Sequence, residues 1–142
     1  MKETNTTDVM SGIEAGLRRE ETMTADEAHL ANAVGSGLLP VFATPAMTAL
    51  MEQAAATLLE ERLPEGWTSV GIALDIEHTS ATPEGMKVRA EAEVTAVEGR
   101  KATFAVRAFD EAGEIGHGTH VRFVVDAVRF MEKATAKRGA RA

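Results

Sequence analysis

A single carboxylate, Glu52, interrupts a long run of apolar and small residues, PAMTALMEQAAATLL, at positions 45–59. An ionised carboxylate among apolar neighbours is costly unless it is paired or neutralised. One interpretation is structural, in which Glu52 forms a salt bridge or simply reaches solvent. The other is chemical, because a carboxylate in a partly dry pocket can act as a general base or as a nucleophile. The residues alone leave both interpretations open.

Three further residues have types that suit the same chemistry. Thr44 can cap a helix, and a cap lies where backbone N–H groups point at anions. His78 ends an alternating stretch, and its near-neutral pKa suits proton transfer, although a lone histidine at a strand end is more often not catalytic. Gly71 lets another backbone approach closely, which is also what an oxyanion donor requires.

The spacing of Thr44 and Glu52 limits how they can cooperate. Eight residues along a straight helix give roughly 12 Å of rise and about 80° of rotation, so the two side chains cannot meet on one helix. Either the chain before Pro45 folds back, or the site uses groups from two subunits. The sequence does not decide between these alternatives.

The other histidines predict no metal site. His117 and His120 in GHGTH are three apart on a predicted strand and therefore point to opposite faces. No acidic cluster accompanies them, and His29 lies in a polar segment where we expect it to be solvated. We expect neither a metal nor another cofactor.

Composition limits the class of protein. The chain has 142 residues, 44% of them hydrophobic, which predicts one globular domain over residues 1–142. A net charge of -7 argues against a nucleic-acid partner, and the absence of cysteine excludes disulfides, thiolate metal sites and cysteine nucleophiles. The amino terminus lacks the apolar core of a signal peptide, and no stretch approaches a membrane span, so we expect a cytoplasmic protein with no membrane partner.

The candidate residues lie on a predicted helix and on the strands after it. Residues 44–62 predict a helix with Thr44 as its cap and Pro45 in its first turn. Its apolar residues go nearly all the way round, which predicts a buried helix. Alternation predicts strands at 13–23, 67–79, 86–94, 102–110 and 114–125, and the tail predicts a short helix that frays.

The order of these elements predicts an α+β fold. A strand, a long helix and four strands in an antiparallel meander would wrap a sheet around one central helix. Residues 24–39 predict a flexible loop because of Gly35 and Gly37, although Val34 could start a short strand. Sheet faces rich in glycine and alanine could approach a second copy closely, so we expect a homodimer.

Four segments together resemble the hotdog-fold acyl-CoA thioesterases, and in particular their fluoroacetyl-CoA thioesterase branch. The segments are VFATPAMTALME (41–52), IEHTSATPEGM (76–86), VEGRK (97–101) and EIGHGTH (114–120), and the resemblance runs from about residue 34 to about residue 131. It implies a hotdog fold, an antiparallel sheet wrapped around one long central helix. It also implies an acyl-CoA substrate, split into free acid and CoA.

The resemblance also implies roles for individual residues. Thr44, Glu52 and His78 match the family's set for thioester hydrolysis. Gly71 matches a glycine whose backbone N–H faces the substrate carbonyl, and Arg122 matches an arginine near the mouth of the pocket. The phosphates of CoA also favour cations, and the candidates are Arg89, Arg100, Lys101, Arg107 and Arg122.

The loop before the helix departs from the fluoroacetyl branch. That branch covers its pocket with bulky phenylalanines, whereas this chain has GSGLLPVF, with Gly35 and Leu38 at the matching positions. Phe42 remains, and we expect Phe42 and Leu38 to contact the substrate. Because the aromatic lid is absent, we expect another short or medium acyl group, or a less selective enzyme, rather than specificity for fluoroacetyl-CoA.

Three other functions compete with hydrolysis. A hotdog hydratase needs an aspartate and histidine pair early in the helix, and PAMTALMEQ has neither. A non-catalytic acyl-CoA-binding dimer would keep Glu52 as a structural residue. A purely structural dimer is disfavoured by the polar residues on the apolar helix.

Overall fold

Five antiparallel strands and one long helix make up most of the computed structural model, which describes residues 9–139. The elements, in chain order, are β1 (Arg18–Thr24), α1 (Ala31–Val34), α2 (Thr44–Glu60), β2 (Trp67–His78), β3 (Lys87–Glu98), β4 (Lys101–Phe109), β5 (Glu114–Asp126) and α3 (Ala127–Thr135). Short 3-10 helices lie at Glu27–His29 and Ala136–Gly139. The α+β prediction is confirmed.

Helix α2 begins where the sequence predicts and ends two residues earlier than predicted, at Glu60. Pro45 lies in its first turn, as expected. The predicted capping role of Thr44 is wrong, because the cap position is Ala43 and Thr44 is already helical. The hydroxyl of Thr44 is therefore available for another partner.

The burial of α2 is one-sided. Its buried residues follow a stripe along the helix, namely Ala46, Met47, Leu50, Met51, Ala54, Ala55, Leu58 and Leu59. Ala49 and Gln53 on the other side are exposed. Within one chain the expectation of burial all round is wrong, because a single sheet can cover only one side of a helix.

The strands have the spatial order β1-β3-β4-β5-β2. Strands β3, β4 and β5 form the predicted meander, but β2 pairs with β5 instead of β3, so the four-strand meander is wrong at that connection. Eight extended residues, 79–86, can span up to about 28 Å. Crossing three strand spacings needs only about 14 Å, so this segment is long enough to lead from β2, past β5 and β4, to β3.

A bulge interrupts the alternation of β2. The pairing with β5 shifts between Gly71 and Ala73, which makes Ile72 the extra residue. Before the bulge, Gly71 lies against Glu52, and after it Ile76 packs on the core and His78 reaches α2. Because of the bulge, an odd-numbered residue before it, Gly71, and even-numbered residues after it, Ile76 and His78, all face α2.

The amino-terminal and carboxy-terminal segments differ in part from the predictions. The first strand covers only Arg18–Thr24, and Ile13 is a buried core residue outside it. Val34 ends α1 instead of starting a strand, and Gly35 terminates that helix with a φ of 81°. The predicted tail helix is α3, capped by the Asp126 carboxylate, which accepts a hydrogen bond from the Arg129 backbone N–H. Within residues 9–139, no helix combines the length and the apolarity that crossing a membrane requires.

Candidate active site

The start of α2 meets the end of β2 through a side-chain hydrogen bond. Oγ1 of Thr44, the first residue of α2, lies 2.7 Å from Nδ1 of His78, the last residue of β2. Burial lowers the pKa of His78, and the nearby Ser80 backbone opposes this only in part. A neutral imidazole can leave Nδ1 unprotonated, and the Thr44 hydroxyl then donates to it.

The second nitrogen of the same ring is unpaired. Nε2 of His78 is buried and has no hydrogen-bond partner among residues 9–139. Leaving a buried polar atom unsatisfied costs about 1–3 kcal/mol. Such an atom beside a cavity is typical of a site whose partner arrives with a ligand, a water molecule or a second chain.

A cavity of about 280 Å³ adjoins the Thr44–His78 pair. Most of its lining is small or polar, namely Ala31, Ser36, Val41, Phe42, Thr44, His78, Thr79, Ser80 and Ala81. Phe42 is buried in the core and presents one side to the cavity. Leu38 is 93% exposed and is not among the lining residues.

A second cluster surrounds Glu52, two turns further along α2. Its Oε2 lies 3.7 Å from Nη1 of Arg122 and 3.8 Å from Nε2 of His120. Gly71 lies on the same side, and a Cβ built there would be 2.6 Å from Glu52 Oε2. The carboxylate therefore occupies space that only glycine leaves open. The Glu52 side chain is 39% exposed, so it is also accessible from outside.

Arg122, which the sequence comparison placed near a pocket mouth, is buried, with only 8% of its surface exposed. Its Nε donates to Ser69 Oγ at 2.8 Å, and its Nη2 donates to the Ser69 carbonyl at 3.1 Å. Burial lowers the pKa of Arg122, while Glu52 and Glu60 act in the opposite direction. A guanidinium remains charged through such shifts, so the cluster holds a fixed cation near Glu52.

His120 belongs to this cluster, although the sequence analysis considered it only as a metal ligand. It is 1% exposed, and its Nδ1 lies 2.9 Å from the Ala73 carbonyl oxygen. One signal could have identified it, since residues two apart on a strand share a face and Arg122 was already a candidate. His117 points to the other face, is about half exposed and pairs with Glu114.

The two clusters do not touch within one chain. No hydrogen bond or ion pair in the described part of the chain joins Thr44 or His78 to Glu52, Arg122 or His120. Thr44 lies in the helix and not off its axis, so the eight-residue spacing separates it from Glu52 by roughly 12 Å of rise.

The remaining candidate cations lie on the sheet and its hairpins. Arg89 pairs with Glu20 and Glu91, and both Arg89 and Arg107 lie over the Phe109 ring. Arg100 lies over Trp67, and Lys101 pairs with Glu98.

His29 is partly exposed and pairs with Asp26. Among residues 9–139, no three histidine or carboxylate side chains are grouped so that they could hold a metal ion.

Comparison with known proteins identifies the class. The fluoroacetyl-CoA thioesterase of Streptantibioticus cattleyicolor is 42% identical over 97 residues, which is 68% of this chain and 70% of that protein. A crystal structure of the fluoroacetyl-CoA thioesterase FlK superposes with a TM-score of 0.84 at 33% identity, covering 89% of this chain and 98% of that one. A hot-dog-like protein from Thermanaerovibrio acidaminovorans, at 24% identity, has a TM-score of 0.85 and supports the fold alone, over 94% of this chain and 99% of that one.

The sheet, its central helix and these relatives define a hotdog-fold thioester hydrolase. The model of the fluoroacetyl-CoA-specific thioesterase family matches residues 24–128, and the chain belongs to that family. The resemblance inferred from the sequence is thereby confirmed.

Proposed function

We propose that the protein hydrolyses a short or medium acyl-CoA thioester to the free acid and CoA, with Thr44, Glu52 and His78 as its catalytic residues. Membership of the thioesterase family supports an acyl-CoA substrate, and a variant of FlK has been solved in complex with acetyl-CoA. The observation that carries the residue assignment is the buried Nε2 of His78, which lies beside the cavity and has no hydrogen-bond partner among the described residues.

The hydrolysis requires a nucleophile for the carbonyl carbon and a proton for the departing sulfur. Glu52 either removes a proton from water, whose oxygen then attacks, or attacks the carbonyl itself and forms an acyl-enzyme that water later cleaves. In both routes the carbon–sulfur bond breaks and the CoA thiolate takes up one proton. The neutral ring of His78 must first take up a proton, from water or from protonated Glu52, and it can then pass that proton to the sulfur, because imidazole exchanges protons near neutral pH.

Two further residues suit the charge that develops on the carbonyl oxygen. The Gly71 backbone is exposed beside Glu52, where its N–H can approach the thioester carbonyl without a side chain in the way. Arg122 adds a positive charge beneath the same carboxylate. Fixed dipoles and charges of this kind stabilise an oxyanion without reorganising during the reaction.

The active unit in this proposal is a homodimer. The outer edge of β2 has no strand neighbour within the described chain, and Ile72 and Leu74 on it are 54% and 42% exposed. Such an edge favours pairing with another strand. A second protomer there would also cover the open side of α2 and bring another copy of both side-chain clusters to one interface. That arrangement overcomes the separation of Thr44 from Glu52.

The acyl group in this proposal is not restricted to fluoroacetyl. Gly35 and Leu38 occupy the positions of the family's aromatic lid, and Leu38 extends into solvent. The cavity beside Thr44 is lined mostly by small side chains such as Ala31 and Ser36. We therefore assign short or medium acyl-CoAs as substrates and place the enzyme in the cytoplasm, where CoA esters are made and used.

A non-catalytic acyl-CoA-binding dimer is the second candidate. The observation that favours it is the ion pair between Glu52 and buried Arg122, because a carboxylate can persist for structural reasons alone. The two functions differ in one measurable property, the release of free CoA thiol.

The deciding experiment measures thiol release from a panel of acyl-CoAs, fluoroacetyl-CoA included. The proteins compared are the parent, Glu52→Gln and Glu61→Gln, which carries the same substitution at the exposed residue that follows the helix. We expect kcat to fall by about 10²- to 10⁴-fold only in Glu52→Gln, with its circular dichroism unchanged. Absence of release from every thioester would reject hydrolysis and favour the binding function, whereas equal release by all three proteins would reject the catalytic role of Glu52.

A further inference from the structure

The imidazole of His120 is fixed by three neighbours in the interior of the protein. Nδ1 lies 2.9 Å from the Ala73 carbonyl oxygen, and Nε2 lies 3.2 Å from Nη1 of Arg122. The ring also stacks on Phe104, with 6.1 Å between ring centroids. Because this ring is held in a fixed orientation beside the proposed catalytic carboxylate, it can influence how that carboxylate is bound.

The hydrogen bonds determine which nitrogen carries the proton. A carbonyl oxygen only accepts, so Nδ1 of His120 must be the donor to Ala73. Burial lowers the pKa of His120, and the Arg122 charge lowers it further, while the Ala73 bond and Glu52 act in the opposite direction. The ring is therefore neutral, and Nε2 has a free lone pair that accepts from Arg122 Nη1.

This arrangement occupies every nitrogen of the Arg122 guanidinium. Nε and Nη2 donate to Ser69, and Nη1 donates to His120. Glu52 Oε2 remains 3.7 Å from Nη1, which is beyond the roughly 2.7–2.9 Å of a charged hydrogen bond. The other charge close enough to influence Arg122 is Glu60, and it makes no ion pair with the guanidinium. The Glu52 carboxylate is therefore close enough to be affected by the positive charge of Arg122, but it is not hydrogen-bonded to the guanidinium.

We propose that His120 is a positioning residue of the hydrolytic site: by accepting a hydrogen bond from Arg122 Nη1, it keeps that nitrogen from closing a direct hydrogen bond with Glu52. The carboxylate then retains its lone pairs for water or for the thioester carbon. Without the imidazole acceptor, Nη1 is free to turn to Glu52 Oε2, which lies 3.7 Å away. This role rests on the proposed function of Glu52 and adds the residue that controls its availability.

The test compares the parent protein with three substitutions at one position. His120→Phe keeps an aromatic ring against Phe104 but has no acceptor. His120→Asn can still donate to the Ala73 carbonyl through its amide nitrogen, but the side chain is too short for its oxygen to reach Arg122. His120→Gln has an amide oxygen near the position of Nε2 and can restore the acceptor. Each folded variant is crystallised, and kcat and KM are measured by thiol release.

The proposal predicts a split between the kinetic constants. In the Phe and Asn variants we expect kcat to fall by about 10- to 100-fold, as for a catalytic group displaced by about 1 Å, while KM changes by less than about threefold. In their crystals the separation of Arg122 Nη1 and Glu52 contracts to about 2.8 Å. The Gln variant recovers most of kcat and keeps the separation of the parent.

The opposite results overturn the proposal. An unchanged Arg122 in the Phe or Asn crystal removes its structural basis, and equal losses in the Asn and Gln variants indicate a packing role instead. Should the Phe variant fail to fold, the polar Asn and Gln pair decides the question. A parent protein that releases no thiol rejects the proposed function separately, and the crystal structures still show whether His120 holds Arg122 away from Glu52.

Discussion

The hydroxyl of Thr44 lies 2.7 Å from Nδ1 of His78 and so connects the first residue of the central helix to the last residue of the edge strand β2. The other imidazole nitrogen is buried without a partner among the described residues. Nδ1 of His78 is therefore hydrogen-bonded to Thr44, whereas Nε2 has no partner among the described residues and is the atom to which a reacting group can bind.

Removing the Thr44 hydroxyl should reduce turnover more than it reduces stability. Thr44→Val keeps the shape of the side chain but loses the hydrogen bond to His78, and we expect kcat to fall by about 10²-fold. Thr44→Ser should retain most activity. Thr48→Val is the matched control, because its hydroxyl only donates to the Thr44 carbonyl. Steady-state thiol release measures the effect, and equal losses at both threonines would contradict a special role for Thr44.

Gly71→Ala should impair the reaction while leaving the fold intact. The new Cβ would lie 2.6 Å from Glu52 Oε2 and 3.1 Å from Cε1 of His120, so the carboxylate must move. The carboxylate is the mobile end of a flexible side chain, so the stability cost is small, whereas displacing a reacting group can cost about 10²-fold in rate. Gly37→Ala, which meets only an ordinary contact with Ala31, is the control. A Gly71→Ala enzyme with the parent's kcat would show that the position of Glu52 is unimportant.

Folding stability should decrease as the pH falls below neutrality. Burial lowers the pKa of both His78 and His120 from an ordinary value of 6.5. The unfolded chain therefore binds more protons than the folded one, and the stability that these neutral rings contribute is present above pH 6.5 and is lost as the pH falls through their folded pKa values. Urea unfolding at pH 7.5, 6.5 and 5.5 measures this.

The histidine contribution to that pH dependence can be isolated by substitution. In His78→Gln the free energy of unfolding should depend less steeply on pH below 6.5 than in the parent. Parallel curves for the parent and His78→Gln would refute the assignment to His78.

Ile72→Lys should separate the proposed dimer. A lysine on an edge strand opposes pairing with another strand, and Ile72 is more than half exposed within one chain. We expect a monomer by light scattering and a loss of thiol release, since each chain alone keeps Thr44 apart from Glu52. Val128→Lys alters a more exposed apolar residue on α3 and should leave both properties unchanged. An Ile72→Lys protein that is still dimeric would place the interface elsewhere.

Local patterns in the sequence were sufficient for most of the fold. Residues without β-branched runs between Pro45 and Glu60 made the central helix predictable, and two-residue alternation identified β2, β4 and β5 closely. The motifs around Thr44, Glu52 and His78 also identified the hotdog fold and the thioesterase family, which the comparisons confirm. The roles of those three residues stay predictions.

Only the tertiary structure decided how distant segments meet. Strand periodicity is a local property and carries no information on which strands pair. It could not reveal that β2 pairs with β5, nor that the connection after β2 crosses the sheet to β3. That pairing, with its bulge at Ile72, brings Gly71 and Glu52 to His120 and Arg122, which are remote in the chain. The second histidine of GHGTH, His120, has many possible environments as far as the sequence shows, and long-range pairing is the physical reason that it is buried beside a carboxylate.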